Sequence, residues 1–341
     1  MPIPFLVLAA IAASTALGAG NAISATDKKS EAESVDVAAA KIVKEAMDKL
    51  EKRRAKAQAA LEELGKTKLV VLAGSLKNFV DEFEKLKDVD FRSSVGIDQL
   101  SRMEFSDEIL AEMRLASNES AKIVTGGLAA LGTGALVAYG TFGVVKTSGL
   151  ALASTGTAIS ALKGAAATKA TLAWLGGGAL SVGGGGIALG TAVLGGLVVG
   201  PALAIGGIVL SSKAQKRLNE AYANYDQARV AVKEMEVAGE AVTGITKHCK
   251  LTSRFLNEID SYLSKGVEGL RKICLKRGTA WDTFSHEEKQ LVYITTQLAQ
   301  LVKGVVDTPL LDDEGALSEL AIKVLEDGQQ KLASSALGLI E

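Results

Sequence analysis

The strongest constraint on this chain is a long uncharged segment that is rich in glycine. Residues 171–211 read TLAWLGGGALSVGGGGIALGTAVLGGLVVGPALAIGGIVLS, which contains thirteen glycines and no charged side chain. Each glycine costs a helix about 1 kcal/mol relative to alanine, so a helix built from this segment needs packing partners to hold it. A flexible glycine linker has no use for so many large apolar residues. The segment is therefore predicted to pack closely against lipid or against other helices.

Charged residues are segregated along the chain. They are dense in 27–122 and 212–341, whereas 123–211 holds only three lysines and no acidic residue. The totals, 38 Lys plus Arg against 39 Asp plus Glu, leave a net charge of -1, so we expect no nucleic-acid partner. Few aromatic residues and only four prolines favour long helices over a β-sandwich.

The amino-terminal segment 1–26 is also uncharged and largely apolar. It lacks the leading Lys or Arg of a typical secretory signal. Lys28 and Lys29 follow it, a placement that favours a cytoplasmic location for the downstream side if the segment spans a bilayer. Three readings stay open: an anchor or membrane-lying helix, a cleaved signal, and a helix buried in protein.

The first charged arm, 27–122, is predicted to be helical. We interpret 38–91 as a long amphipathic helix or helical hairpin, with an interruption expected at Gly65. Ser106 is predicted to cap a further helix. The apolar positions at helical spacing are Val43, Met47, Leu50, Leu61, Leu64, Leu72, Leu76, Phe79, Val80 and Phe83.

The second charged arm, 212–341, resumes amphipathic helix. Ser285 and Glu288 form a predicted capping box, and a closing helix is expected over 317–337 with Gly338 at its end. Its two apolar stripes comprise Leu218, Tyr222, Tyr225, Val230, Met235 and Val242, followed by Leu251, Phe255, Ile259, Leu263, Val267, Leu270 and Ile273.

Between the arms, 123–211 is predicted to form a Gly/Ala-rich apolar helical hairpin. The uncharged run 123–145 would reach roughly 35 Å as a helix, which is enough to cross a bilayer core. Residues 171–211 are too long for one untilted crossing and long enough for two short ones, with 183–186 or Pro201 as breaks. The predicted fold is therefore all-α, with two amphipathic helical arms bracketing this hairpin.

The glycines of the hairpin are predicted to form smooth packing faces. In hydrocarbon, helix association gains little from the hydrophobic effect, so close backbone approach supplies the contacts. A hairpin buried inside a soluble bundle is the alternative, and it is compatible with later entry into a membrane. The residues we assign to membrane contact or helix packing are Trp174, Gly176, Gly183, Gly186, Gly190, Gly196, Gly200, Gly207, Gly126 and Gly132.

Residue patterns for catalysis are nearly absent. The only histidines are His248 and His286, and neither belongs to a ligand pair with metal spacing. The segment GGGALSVGGGG lacks the Gly-Lys-Ser/Thr ending of a phosphate-binding loop. We interpret Trp281 as a packing anchor. The sequence predicts no enzyme, no cofactor and no metal site.

The chain resembles a widespread, functionally uncharacterised family of bacterial helical proteins. The resemblance covers nearly the whole chain and is carried by LEELGKTKLVVLAGSLKNFVDEFEKLKDVDF, by STGTAISALKGAAATKATLAWLGGG with the glycine-rich run after it, and by DTPLLDDEGAL. It implies no established activity. In layout alone the chain is similar to α-helical pore-forming toxins and to the apolipoprotein L group.

Three functions are compatible with these features. The first is a membrane-inserting protein, a toxin or a defence or stress effector, that permeabilises or remodels bilayers after self-assembly through its glycine faces. The second is a membrane-tethered coiled-coil scaffold or signalling adaptor whose arms bind a protein partner. The third is a soluble helical structural protein. We expect a lipid bilayer and a homo-oligomer as partners, and location at the cytoplasmic membrane with the charged arms in the cytoplasm.

Overall fold

A computed structural model describes residues 25–91, 105–128, 132–141, 214–311 and 316–334. This part of the chain is 88% helical and contains no strand, so the predicted all-α fold is confirmed. The helices are α1 (Ala25–Val71), α2 (Lys77–Phe83), α3 (Asp107–Thr125), α4 (Gly132–Thr141), α5 (Ala214–Arg277), α6 (His286–Asp307) and α7 (Glu319–Ser334). A π-helical turn (Leu72–Leu76) joins α1 to α2, and a 3-10 turn (Trp281–Thr283) precedes α6.

The chain divides into two compact units. The first comprises Met1–Glu45 with Leu203–Val232, and the second comprises Ala46–Ala202 with Lys233–Glu341. The long helices α1 and α5 each pass through both units, so each unit contains part of both helices.

The second unit holds the large hydrophobic core. Leucines and phenylalanines from the end of α1, the π-helical turn and α2 pack with apolar side chains of α3, α5, α6 and α7. The second predicted stripe of α5 lies in this core, apart from Leu251, which is only partly buried. Trp281 is buried and its indole N–H donates to the carbonyl of Asp90 at 3.1 Å, as a packing anchor requires.

Within the second unit, α1 runs parallel to α5, because Arg53 contacts Gly239 and Lys68, farther along α1, lies near Cys249, farther along α5. The π-helical turn, α2 and the residues after it continue in the same direction. The hydroxyl of Ser75 donates to Asp260, Arg271 donates to Glu82 at 2.9 Å, and the amide of Lys87 donates to the carbonyl of Thr279 at 2.9 Å. The residue numbers of the contacting partners increase together along the two segments, so the segments run in the same direction. Helix α6 returns antiparallel to α5.

The prediction that Gly65 interrupts the first helix is wrong. Helix α1 continues through Gly65 to Val71, and the irregularity is the π-helical turn at Leu72–Leu76. Gly65 serves helix packing instead, because a Cβ at this position would overlap the carbonyl oxygen of Leu136 on α4. A Cβ at Gly140 would likewise overlap the carbonyl oxygen of Leu61. The backbones of α1 and α4 are therefore in direct contact through two glycines.

Several residues of the predicted stripes face solvent. Met47 on α1 and Tyr222 and Val230 on α5 are exposed. The buried positions of α5 near them are alanines, Ala221, Ala228 and Ala231, and Ala32 and Ala39 are buried on α1. Small side chains allow helices to approach closely. The buried face of the first part of α5 therefore includes these alanines and not the neighbouring Tyr222 and Val230.

The uncharged run 123–145 does not form one continuous helix. Helix α3 takes in residues 123–125 and ends at Gly126, and Gly127 has a positive φ of 91° that a side chain rarely adopts. Helix α4 begins at Gly132. Among the described helices, none combines the length and the hydropathy that a bilayer crossing requires.

The predicted helix starts agree with the structure. Ser106 accepts a hydrogen bond from the amide of Ile109 at the start of α3. Ser285 and Glu288 form both bonds of the capping box at the start of α6. Helix α7 begins at Glu319, two residues later than expected, and Gly338 lies outside the described residues.

The Gly65 contact gives a testable difference between two glycines. We expect Gly65→Ala to lower the free energy of unfolding by about 1–3 kcal/mol, because the new methyl group meets the backbone of α4. Gly244→Ala on α5 has open space around it and should raise stability by up to about 1 kcal/mol through helix propensity. Chemical denaturation of both variants checks this, and equal stabilisation by the two would contradict the contact.

Candidate functional site

The amino-terminal ends of α1 and α5 lie side by side in the first unit. The hydroxyl of Tyr222 donates to Glu31 at 2.8 Å, and Arg217 lies 3.9 Å from Glu33. Glu31 is the seventh residue of α1 and Tyr222 the ninth of α5, so the two helices lie side by side within their first three turns. Ala32, Val35, Leu218 and Ala221 form a small apolar cluster between them.

This pairing brings together two distant parts of the sequence. The uncharged segment 1–26 runs directly into α1, and the glycine-rich stretch 171–211 ends three residues before α5 begins. Both uncharged segments therefore join the described structure at adjacent helix ends. The sequence carries lysines at both junctions, at positions 28, 29, 213 and 216. We take these paired ends as the candidate site.

Most of the predicted packing residues lie outside the described part of the chain. These are Trp174, Gly176, Gly183, Gly186, Gly190, Gly196, Gly200 and Gly207. Gly126 is described, but it is exposed and ends α3 rather than packing against another helix. Gly132 is the first residue of α4.

The carboxyl end of helix α4 is bound by α1 and by the loop after α6. The ammonium group of Lys68 lies 3.4 Å from the carbonyl oxygen of Gly140, and the amide of Leu310 donates to the carbonyl of Thr141 at 2.7 Å. The last carbonyls of a helix have no partner within the helix, and a cation there also meets the negative end of the helix dipole. Lys68 and Leu310 thus hold the helix that leads in sequence toward the glycine-rich stretch.

Lys68 is an unusual residue for this position because only 1% of its surface is exposed. Burial lowers the pKa of Lys68 to about 8, while the charge of Asp307 and the neighbouring Cys249 act in the opposite direction. Burial raises the pKa of the Cys249 thiol to about 12, so this thiol is not a nucleophile at neutral pH. The periodicity carried a signal for Lys68, since it falls four residues after Leu64 and four before Leu72 on the buried stripe.

A second buried lysine lies nearby. Lys303 on α6 is 3.0 Å from Glu112 and also pairs with Asp307 one turn later on the same helix. Burial raises the pKa of Asp307 despite its pairing with Lys303. These charges connect α1, α3 and α6 and are typical of a structural network. In the described ranges, no three His, Cys, Asp or Glu residues lie close enough together to hold a metal ion.

The chain matches no family model, no curated protein and no solved structure.

The low pKa of Lys68 predicts an unusual pH dependence of stability. The lysine has a pKa of about 8 when folded and near its ordinary 10.5 when unfolded, so the unfolded chain binds more protons between these values. The charged lysine therefore destabilises the fold below pH 8, and this cost is relieved as the pH rises toward 10.5. The relief amounts to about 3 kcal/mol.

Comparison with Lys68→Met isolates this effect from the other titrating groups. We expect the stability of the wild type relative to Lys68→Met to rise between pH 7.5 and 10, measured by urea denaturation at each pH. Lys66→Met is the matched control, because Lys66 is solvent-accessible and pairs with Glu62 at 3.0 Å on the same helix. Parallel curves for wild type and Lys68→Met would contradict a buried lysine.

Proposed function

We propose that this chain is a membrane-inserting helical protein that assembles through its glycine faces and perturbs bilayers. Its partners are the lipid bilayer and further copies of the same chain. The observation that carries the proposal is the pairing of the first three turns of α1 and α5, in which Tyr222 donates a hydrogen bond to Glu31. Two uncharged segments, 1–26 and 171–211, leave the described structure at those ends.

The composition of 171–211 supports insertion with assembly. Forty-one residues without a charge are favourable in hydrocarbon, whereas thirteen glycines make an isolated helix poor. Packing with other helices offsets that cost, since glycines four residues apart let two backbones approach closely. The charged arms then remain in water, which fits a location at the cytoplasmic membrane with both arms in the cytoplasm.

The contact between α1 and α4 supports the proposed mode of assembly. Gly65 and Gly140 already let two helices of this chain meet backbone to backbone. The same chemistry, repeated along Gly186, Gly190, Gly196 and Gly200, would join hairpins of neighbouring copies. The resemblance in layout to α-helical pore-forming toxins and to the apolipoprotein L group agrees with this role, either as a toxin or as a defence or stress effector.

A membrane-tethered scaffold or signalling adaptor is the second candidate. It is favoured by large apolar side chains that the charged arms leave in water, among them Val37 with 69% of its surface exposed and Leu275 with 83%. Such side chains are available to a protein partner. A chain with 171–211 deleted keeps α4 and distinguishes the two functions, because an adaptor keeps its partner and a membrane-perturbing protein loses its activity.

Dye release from liposomes tests the proposed function. We expect the wild type to release an encapsulated dye and the variant Gly186→Leu, Gly190→Leu, Gly196→Leu, Gly200→Leu to release it several-fold more slowly, because leucines keep the helices apart. The matched control is Gly244→Leu with Gly304→Leu, two exposed helical glycines with open space around them. This control should leak like the wild type.

Two results would count against the proposal. Equal leakage by the wild type and the four-leucine variant would remove the glycine faces from the mechanism. No leakage and no vesicle binding by the wild type would leave a soluble helical protein.

A further inference from the structure

The second unit contains a small cavity where four helices meet, with a mostly apolar lining and a few polar groups. It is lined by Leu64 and Lys68 of α1, by His248 and Thr252 of α5, by Thr308, whose hydroxyl donates to the carbonyl of Gly304, and by apolar residues of α6, α7 and the loop between them. The volume open to the centre of a water molecule is ≈ 10 Å³. A space of this size accommodates about one water molecule.

Thr252 departs from the behaviour of the other helical threonines. Hydroxyl groups of threonines in these helices donate to the carbonyl four residues earlier, as Thr246 does to Val242 at 2.9 Å and Thr296 does to Val292 at 2.8 Å. Thr252 is 6% exposed and its hydroxyl has no partner among the described residues. A buried hydroxyl without a partner loses its hydrogen bonds to water and gains none in return, so a ligand in the cavity is favoured.

His248 also presents an unpaired polar atom. It precedes Thr252 by one helical turn, is 7% exposed, and its Nε2 has no partner among the described residues. A hydrogen bond to the backbone of Ala321 raises the pKa of His248, so the ring is the donor and the carbonyl oxygen of Ala321 is the acceptor. Because Nε2 has no partner, Nδ1 is the nitrogen that donates. Burial lowers the pKa of His248, so the ring is neutral at pH 7 and Nε2 is a hydrogen-bond acceptor.

The third group is the ammonium of Lys68. It has three N–H donors, and only the carbonyl of Gly140 accepts one of them in the described residues. A ligand in the cavity must therefore accept a hydrogen bond from Lys68 and donate one to Nε2 of His248. Chloride cannot donate and ammonium cannot accept. Water does both, and Thr252 can either donate to it or accept from it.

We propose that this cavity binds a single ordered water molecule that bridges Lys68, His248 and Thr252. The water links α1 to α5 beside the carboxyl end of α4. It provides a partner for three buried polar groups, and it gives the lysine that caps α4 a second hydrogen-bond acceptor beside the carbonyl of Gly140. This assignment does not depend on the membrane role.

A crystal structure of the full chain tests the site directly. We expect one spherical density peak at 2.7–3.2 Å from Nζ of Lys68, Nε2 of His248 and Oγ1 of Thr252, the range of ordinary hydrogen bonds. Crystals grown in sodium bromide should show no anomalous peak there. Absence of the density, an anomalous bromide peak, or a Thr252 hydroxyl bonded to the carbonyl of His248 would each overturn the assignment.

Two threonine variants provide the second measurement. Thr252→Val should lose the peak, because its methyl group cannot form a hydrogen bond with the water. Thr296→Val should keep it, since that hydroxyl is buried but already donates to Val292. A peak of unchanged occupancy in Thr252→Val would remove Thr252 from the site. The wild-type density decides the proposal even if a variant fails to fold.

Discussion

The parallel pairing of α1 with α5 determines where the other helices pack. In the first unit it places Glu31 beside Tyr222, and in the second it places Arg53 of α1 against Gly239 of α5. Two helices that run in the same direction begin at the same end. Each is preceded in sequence by an uncharged segment, so the pairing brings together the two points at which 1–26 and 171–211 join the described helices. An antiparallel pair would have separated them.

Small residues set how closely the helices approach. Apart from Leu218, the buried apolar residues along the first part of α5 are alanines, and two glycines bring α4 onto α1. The stretch 171–211 is also rich in small residues, with thirteen glycines among its 41 residues. Close backbone contact is thus both a feature of the described bundle and the basis of the assembly that we propose for the hairpin.

Local features of the fold could be predicted from the sequence, whereas contacts between distant segments could not. The all-α fold, the caps at Ser106 and Ser285, and the buried positions of α5 from Phe255 onward follow from short-range patterns. Gly65 was misjudged because its role depends on α4, some seventy residues away. Helical spacing also predicts that Tyr222 is buried. The pattern does not distinguish it from the adjacent Ala221, which is the residue that faces α1.

The candidate site was predictable only in part. Hydropathy alone identified the uncharged segments, but no periodicity specifies the register between α1 and α5, and so the adjacency of their ends was not foreseen. Lys68 was overlooked because lysine is rarely buried, although its spacing matched the apolar stripe. Gly126 was assigned to a packing face because the pattern of glycines does not distinguish a helix end from a helix contact.

The distance between spin labels on the third turns of α1 and α5 measures this pairing. Labels at the exposed positions Ser34 and Ala223, with Cys249 and Cys274 replaced by alanine, are measured by double electron–electron resonance. The axes of side-by-side helices lie about 8–10 Å apart, so we expect the two labels to be separated by less than about 30 Å. If α1 paired with the 64 residues of α5 in antiparallel orientation, the labels would be more than about 50 Å apart, and that result would contradict the parallel pairing.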